Sequence, residues 1–286
     1  MTQESTPPMP RRKGASAYRG QPANDPFIFT RKTVYMQRLG DAVRAGALHY
    51  ISGTIPLAKV PFLVKKFAAR YRINLGKIAD HRARHAGEDV ARWLGWYDEK
   101  TALVHWALFY FPGKTICREE RWLNPFDARI RLTGYELVRI TKKGAKAPVI
   151  TWKYTREQYR WLHDQIVFSI RGRQDAVLDQ LIFSLSKSPG FAGVREQVKG
   201  LWSIVKAEWK RVRSKHEPPP KIPPTLGYVR RLPDVGMPWS QLMKASKKGT
   251  KDEQETHEKP LAKRTRKARS DTLLLQPSTS SAAEEG

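Results

Sequence analysis

The chain has 286 residues, with 53 Lys+Arg against 27 Asp+Glu, a formal net charge of +26 and one cysteine. With 40% hydrophobic residues and nine tryptophans it has enough apolar material for a core, and one cysteine excludes disulfide scaffolds and cysteine-rich zinc modules. No apolar run approaches the roughly 20 residues that cross a bilayer, and the N-terminus has no signal-like segment, so the expected setting is cytoplasmic, with a polyanionic partner.

Residues 1–26 are rich in Pro, Ser, Gly and charge and read as a flexible basic arm carrying Arg11 and Arg12. The folded core is expected over 27–213. Val34, Tyr35, Leu39, Val43 and Ala47 recur near a helical period, predicting a helix from Thr33 to about Ala47. A second helix should begin near Pro56 and carry Lys65, Lys66 and Arg70; Pro61 must then fall in its first turn. A third is expected from Lys77 to about Trp93, with Arg82 and Arg84 inside the run His81-Arg82-Ala83-Arg84-His85.

From Leu103 to Phe111 nearly every residue is apolar or aromatic, which predicts a strand buried on both faces. Strands over Ile130–Ile140 and Ala147–Tyr154 should form a hairpin with an exposed basic loop containing Lys142, Lys143 and Lys146. Thr155 followed by Gln158 resembles a capping box, and three apolar stripes then predict three helices. The last and longest stripe, Val194 to Val212, has Lys199, Lys206, Lys210, Arg211 and Arg213 off its apolar face. The Pro-rich segment 214–243 is neither helix nor central strand; its apolar anchors, Leu226, Tyr228 and Leu232 among them, suit packing along the core or against another protein. Residues 244–286 read as a disordered basic tail with Lys263, Arg264 and Arg266 in the run KRTRKAR. The sum is an α+β fold: N-terminal helices, a small antiparallel sheet with a basic hairpin, a C-terminal three-helix portion and basic tails.

Candidate catalytic features are fragmentary. FPGKT (Phe111 to Thr115) follows a strand, but the phosphate loop needs a glycine where Leu108 stands. His81, His85 and Asp89 have metal-compatible helical spacing, yet arginines flank both histidines and would repel a cation. Asp98, Glu99, Glu119, Glu120, Asp127 and Glu136 surround the expected sheet, with Lys153 near, and keep a metal-dependent nuclease open as an alternative. His105 in its apolar strand reads as a core residue and Cys117 as structural. No cofactor, metal site or catalytic residue is assigned.

Positive residues occur on nearly every element and not only on the tails, so the expectation is a non-enzymatic DNA-binding protein. Duplex DNA would be held by phosphate contacts from the folded core and clamped by the arms, with the 194–213 helix as the groove reader. RNA binding is a further alternative, weakened by the lack of an RNA-recognition signature in the aromatic strand. The stretches YMQRLGDAVRAGALHYISGTIPLAK (Tyr35 to Lys59), GYELVRITKKG (Gly134 to Gly144), APVITWKYTREQY (Ala147 to Tyr159) and SPGFAGVREQVKGLW (Ser188 to Trp202) resemble a poorly characterised family of basic proteins carried on bacterial plasmids and integrative conjugative elements. The resemblance spans about residues 30–240 and brings no catalytic motif. It implies a setting in replication, partition, transfer or regulation of a mobile element, with the protein on plasmid or nucleoid DNA.

Overall fold

The computed structural model describes residues 17–113, 120–141, 144 and 147–247. The described residues up to 240 belong to one compact unit and those from 241 to another. In chain order it contains β1 (Phe27–Phe29), α1 (Lys32–Arg44), β2 (His49–Pro56), a 3-10 turn (Leu57–Lys59), α2 (Val60–Arg70), α3 (Lys77–His85), β3 (Val90–Asp98) and β4 (Leu103–Phe111). There follow β5 (Arg131–Leu132), β6 (Tyr135–Ile140), β7 (Val149–Tyr154), α4 (Arg156–Arg171), α5 (Asp175–Ser186), α6 (Ala192–Val212) and β8 (Gly236–Pro238). The class is α+β as expected, but the strands form two sheets: a mixed sheet in the order β2-β4-β3-β1-β8 and an antiparallel sheet β5-β6-β7.

β4 is interior, paired antiparallel with β2 on one side and β3 on the other, which is why its run is apolar on both faces. It therefore does not share a sheet with the hairpin, contrary to expectation. β1 pairs in parallel with β3 and antiparallel with β8, giving the sheet its mixed character. The β6–β7 hairpin is as expected, in register from Tyr135↔Tyr154 to Ile140↔Val149. A turn at Thr133-Gly134, both at positive φ, divides the expected single strand 130–140 into β5 and β6.

Two expected helices differ. The helix expected from near Pro56 starts only at Val60, after strand β2, with Pro61 in its first turn, where the missing N–H costs no helix bond. The helix expected over 77–93 stops at His85. Gly87 takes φ +72°, the Gly87 N–H donates to Arg84 O at 3.1 Å and the Glu88 N–H to Ala83 O at 2.9 Å. That Schellman closure needs a left-handed residue, which glycine supplies at no steric cost. Beyond it the apolar run VARWLGWYD becomes β3, buried from Val90 to Trp96.

α1 lies between the sheets, packed on β3 of one and β7 of the other. This explains why nine of its thirteen residues are buried, Gln37 and Arg38 among them. The Trp152 indole of β7 donates to Met36 O at 2.9 Å, tying the second sheet to the same helix. α4, α5 and α6 follow the three predicted stripes, and α4 begins with Thr155 Oγ1 accepting from the Gln158 N–H at 3.2 Å.

The structured chain is wider than 27–213. Tyr18 is buried against Phe29, and the Ala17 N–H donates to Asp234 Oδ2 at 2.9 Å. The Pro-rich segment runs along the core as a strap, with Leu226 buried and Ile222, Val229 and Leu232 packed against the same cluster. Having few regular partners, its backbone is satisfied by side chains of α1. Gln37 donates to Arg230 O at 2.7 Å and accepts from the Leu232 N–H at 3.1 Å, and Arg38 donates to Leu232 O at 2.7 Å. The strap ends as the edge strand β8, where Pro238 is tolerated, and residues 239–247 are helical, contrary to the expectation of no helix over 214–243. Among the described residues, no helix is long and apolar enough to cross a membrane.

Candidate nucleic-acid interface

α6 buries Val194, Val198, Leu201, Trp202 and Val205. The 3.6-residue period then places Lys199, Lys206 and Lys210 together along one flank of this buried stripe, and all three are exposed. Among the described residues none of the three makes an ion pair, so their charge is available to a partner. At 21 residues, α6 is about 30 Å long.

Next to this flank lies a cleft of about 690 Å³. Arg195, Lys199 and Trp202 of α6 line one side, Ile140 and Thr141 at the end of β6 another, and Pro224 to Leu226 of the strap a third. Arg195 donates through Nε to Leu226 O at 2.7 Å, and its guanidinium carbon sits 3.4 Å from the centroid of the Tyr228 ring. Tyr228 itself is 71% exposed. A solvent-facing aromatic ring stacked on a fixed guanidinium, beside a row of lysines, combines π-stacking with phosphate attraction. Chain distance hides this pairing from the sequence: Arg195 belongs to a helix and Tyr228 to a Pro-rich segment, and only the docked strap brings them together.

The other sequence candidates divide. Lys65 and Arg82 are exposed on α2 and α3. Lys66 Nζ and Arg70 Nη1 converge on Glu120 Oε1 at 3.7 and 3.0 Å. Arg84 pairs with Asp80 at 3.2 Å and lies over the Phe111 ring, and Arg211 pairs with Glu208 at 2.6 Å. Arg213 is not on the surface: its side chain is 2% exposed, it pairs with Asp175 and with Glu217, and it packs over Trp209. It is the cation that ties the end of α6 to the start of α5, which removes it from the expected contact set. Arg11, Arg12, Lys142, Lys143, Lys146, Lys263, Arg264 and Arg266 lie outside the described residues.

Of the candidate acid and metal groups, Glu119 lies outside the described residues, and Glu136, Glu120, Asp98 and Asp89 have separate local roles. Glu136 is buried and bound by Arg129 at 3.0 Å and Lys153 at 3.3 Å, and Glu120 holds Lys66 and Arg70. Asp98 caps the β3–β4 turn by accepting from the Lys100 N–H and the Thr101 hydroxyl. Asp89 lies beyond the end of α3 and accepts from the Gly113 N–H at 2.5 Å, so it does not join His81 and His85, whose rings are 5.6 Å apart. Among the described residues no three His, Cys, Asp or Glu side chains gather as metal ligands would. His105 stacks on Trp96 with centroids 5.0 Å apart. Burial holds its pKa below the ordinary value, against the upward pull of Asp98 at 4.0 Å. Comparison with family models, with curated proteins and with solved structures finds no match to this chain.

Proposed function

We propose that the protein binds nucleic acid, duplex DNA in the first instance, through the solvent face of α6 and the adjoining cleft. The observation that carries this reading is the row Lys199, Lys206 and Lys210, exposed and without ion pairs among the described residues, beside the Arg195–Tyr228 stack. Phosphates release counterions on meeting such a row, and a stacked aromatic gives a base or sugar a platform. The basic segments outside the described residues add charge that serves the same partner. Handling of the DNA of a mobile element is the biological setting proposed for this binding. The role is that of a binding protein: of the carboxylates a nuclease could use, Glu136, Glu120 and Asp98 are engaged by arginines, lysines and a backbone amide at separate places in the fold.

Electrophoretic shift of duplex and single-stranded oligonucleotides across a salt series tests the reading. The affinity should fall steeply with salt. Replacing all three lysines by alanine should make the slope of log K against log salt shallower by about 3 on duplex, since each phosphate neutralised contributes about 0.9. Absence of binding at low salt, or an unchanged slope in the triple variant, would overturn it. Tighter binding of single strands that depends on Tyr228 would redirect it to an unpaired substrate.

A further inference from the structure

A second basic region lies beside α1 and is built differently. Where α1, the start of α3, β3 and the strap meet, there is a cavity of about 450 Å³. Arg19, Arg38, Lys77, Arg92 and Arg231 line it, against two carboxylates, Asp41 and Asp234. Behind the wall, Asp80 is 2% exposed and is shared by Arg19 at 3.6 Å, Arg84 at 3.2 Å and Arg92 at 2.7 Å. The groups around this cavity therefore carry an excess of positive charge, of which Arg38 and Arg92 are buried.

Such crowding is costly unless negative charge is supplied. Part of the cost is visible in Arg92, whose guanidinium is held below its ordinary pKa by burial and by the nearby Arg19, with Asp80 opposing both. A more specific sign is Arg38, which is 4% exposed. Its Nε donates to Asp234 Oδ1 at 2.5 Å and its Nη2 to Leu232 O, yet its Nη1 has no hydrogen-bond partner and only an ion-pair approach to Asp41 at 3.6 Å. Asp41 Oδ2, which it approaches, likewise lacks a hydrogen bond, and a buried charged donor that makes no hydrogen bond is uncommon in folded proteins. The cavity also takes in Lys77, the first residue of α3, a helix that begins without a side-chain cap, so the positive end of its dipole lies beside the cavity.

We propose that this cavity binds a phosphate dianion, free or as the terminal phosphate of a mononucleotide. Arg38 and Arg92 form its buried base, while the exposed Lys77 and Arg231, the latter paired with Asp41 at 2.5 Å, form its rim. The volume accommodates an inorganic phosphate with attendant water, and equally a nucleotide whose base reaches towards Tyr18. Guanidinium groups suit this ligand because their planar fork offers paired donors to tetrahedral oxygens. The site is independent of the α6 face: it lies on other elements and needs no nucleic acid.

The test is titration of the full chain with sodium phosphate at constant ionic strength, read by calorimetry and thermal midpoint, with sodium chloride as reference. Phosphate should raise the midpoint where chloride does not. The double variant Lys77→Ala/Arg231→Ala changes two exposed side chains, so it should fold, and its half-saturating phosphate concentration should rise at least tenfold. Lys210→Ala removes a charge from α6 and should leave phosphate binding within twofold while weakening DNA binding, which separates failure of this site from failure of the nucleic-acid reading. Adenosine 5′-monophosphate binding more tightly than phosphate, with the same dependence on Lys77 and Arg231, assigns a nucleotide; equal affinities assign free phosphate. An equal response to phosphate and chloride, or a double variant that titrates like the native chain, overturns the proposal.

Discussion

The outer face of α6 and the junction of α1, α3 and β3 are both strongly basic, yet they handle charge in opposite ways. On α6 the cations are lysines on long stems, exposed and without ion pairs among the described residues. At the junction they are mostly arginines, and Arg38 and Arg92 are almost wholly buried around Asp234 and Asp80. The difference follows from the side chains. An ammonium group is compact and strongly hydrated, whereas a guanidinium is more weakly hydrated and satisfies several acceptors at fixed angles. A net charge of +26 is thus not one surface property. Part of it is outward-facing charge suited to a polyanion, and part is internal framework.

The largest expected effect lies at the junction. Asp80→Ala leaves Arg92 buried without its carboxylate and should cost about 3–5 kcal/mol, measured by urea unfolding. If Asp80→Ala and Lys210→Ala proved equally mild, the contrast between the two regions would fail.

The strap connects these regions, since 226–229 lies by the start of α6 and 230–234 on α1. It depends on close backbone approach at Gly190, where a Cβ would collide with the Gly227 carbonyl. Gly190→Ala should destabilise by about 1–3 kcal/mol through this overpacking. It should also speed hydrogen exchange at the Val229 N–H, which donates to Gly190 O at 3.0 Å. Unchanged exchange there would show that the strap is held mainly from α1.

Lys199→Ala/Lys206→Ala/Lys210→Ala should weaken duplex binding at low salt by roughly ten- to a hundredfold, about 1.4–2.8 kcal/mol. Stability should change by no more than about 0.5 kcal/mol per site, the usual range for exposed positions. Lys66→Ala, in an exposed pair with Glu120, sharpens the same contrast: it should alter stability by about 0–1 kcal/mol and DNA binding little.

The smallest effect concerns pH. Burial lowers the pKa of His105 from 6.5, so its neutral form is favoured in the folded protein. The associated stability is present in full above that value and is lost as pH falls through the lowered one. His105→Gln should flatten the fall in thermal midpoint below about pH 6.5, where an imidazole of ordinary pKa begins to charge. An unchanged profile would assign that fall to carboxylates elsewhere.

The sequence by itself determined the elements whose signals are local. The apolar stripe of α6, the two-sided apolar run of β4, the Thr155 cap and the hairpin from Tyr135 to Tyr154 all follow from side-chain period and turn chemistry. β2 and β3 were obscured. In β2, Ser52, Gly53 and Thr54 are exposed on an edge strand, and their composition resembles a loop; in β3, the basic helix runs straight into the strand and only Gly87 marks the change. The lysine row was equally legible, because exposure on a helix is set by the position of its apolar face.

Only the tertiary structure decided which cations are internal. Arg213 and Lys210 look alike three residues apart, but Arg213 meets Asp175, Glu217 and Trp209 where α6 ends against α5. The partners of Arg38 and Arg195 likewise come from segments far along the chain. Helical and strand periods report which way a residue faces. They carry no information about which distant carboxylate or aromatic ring the fold will place in front of it.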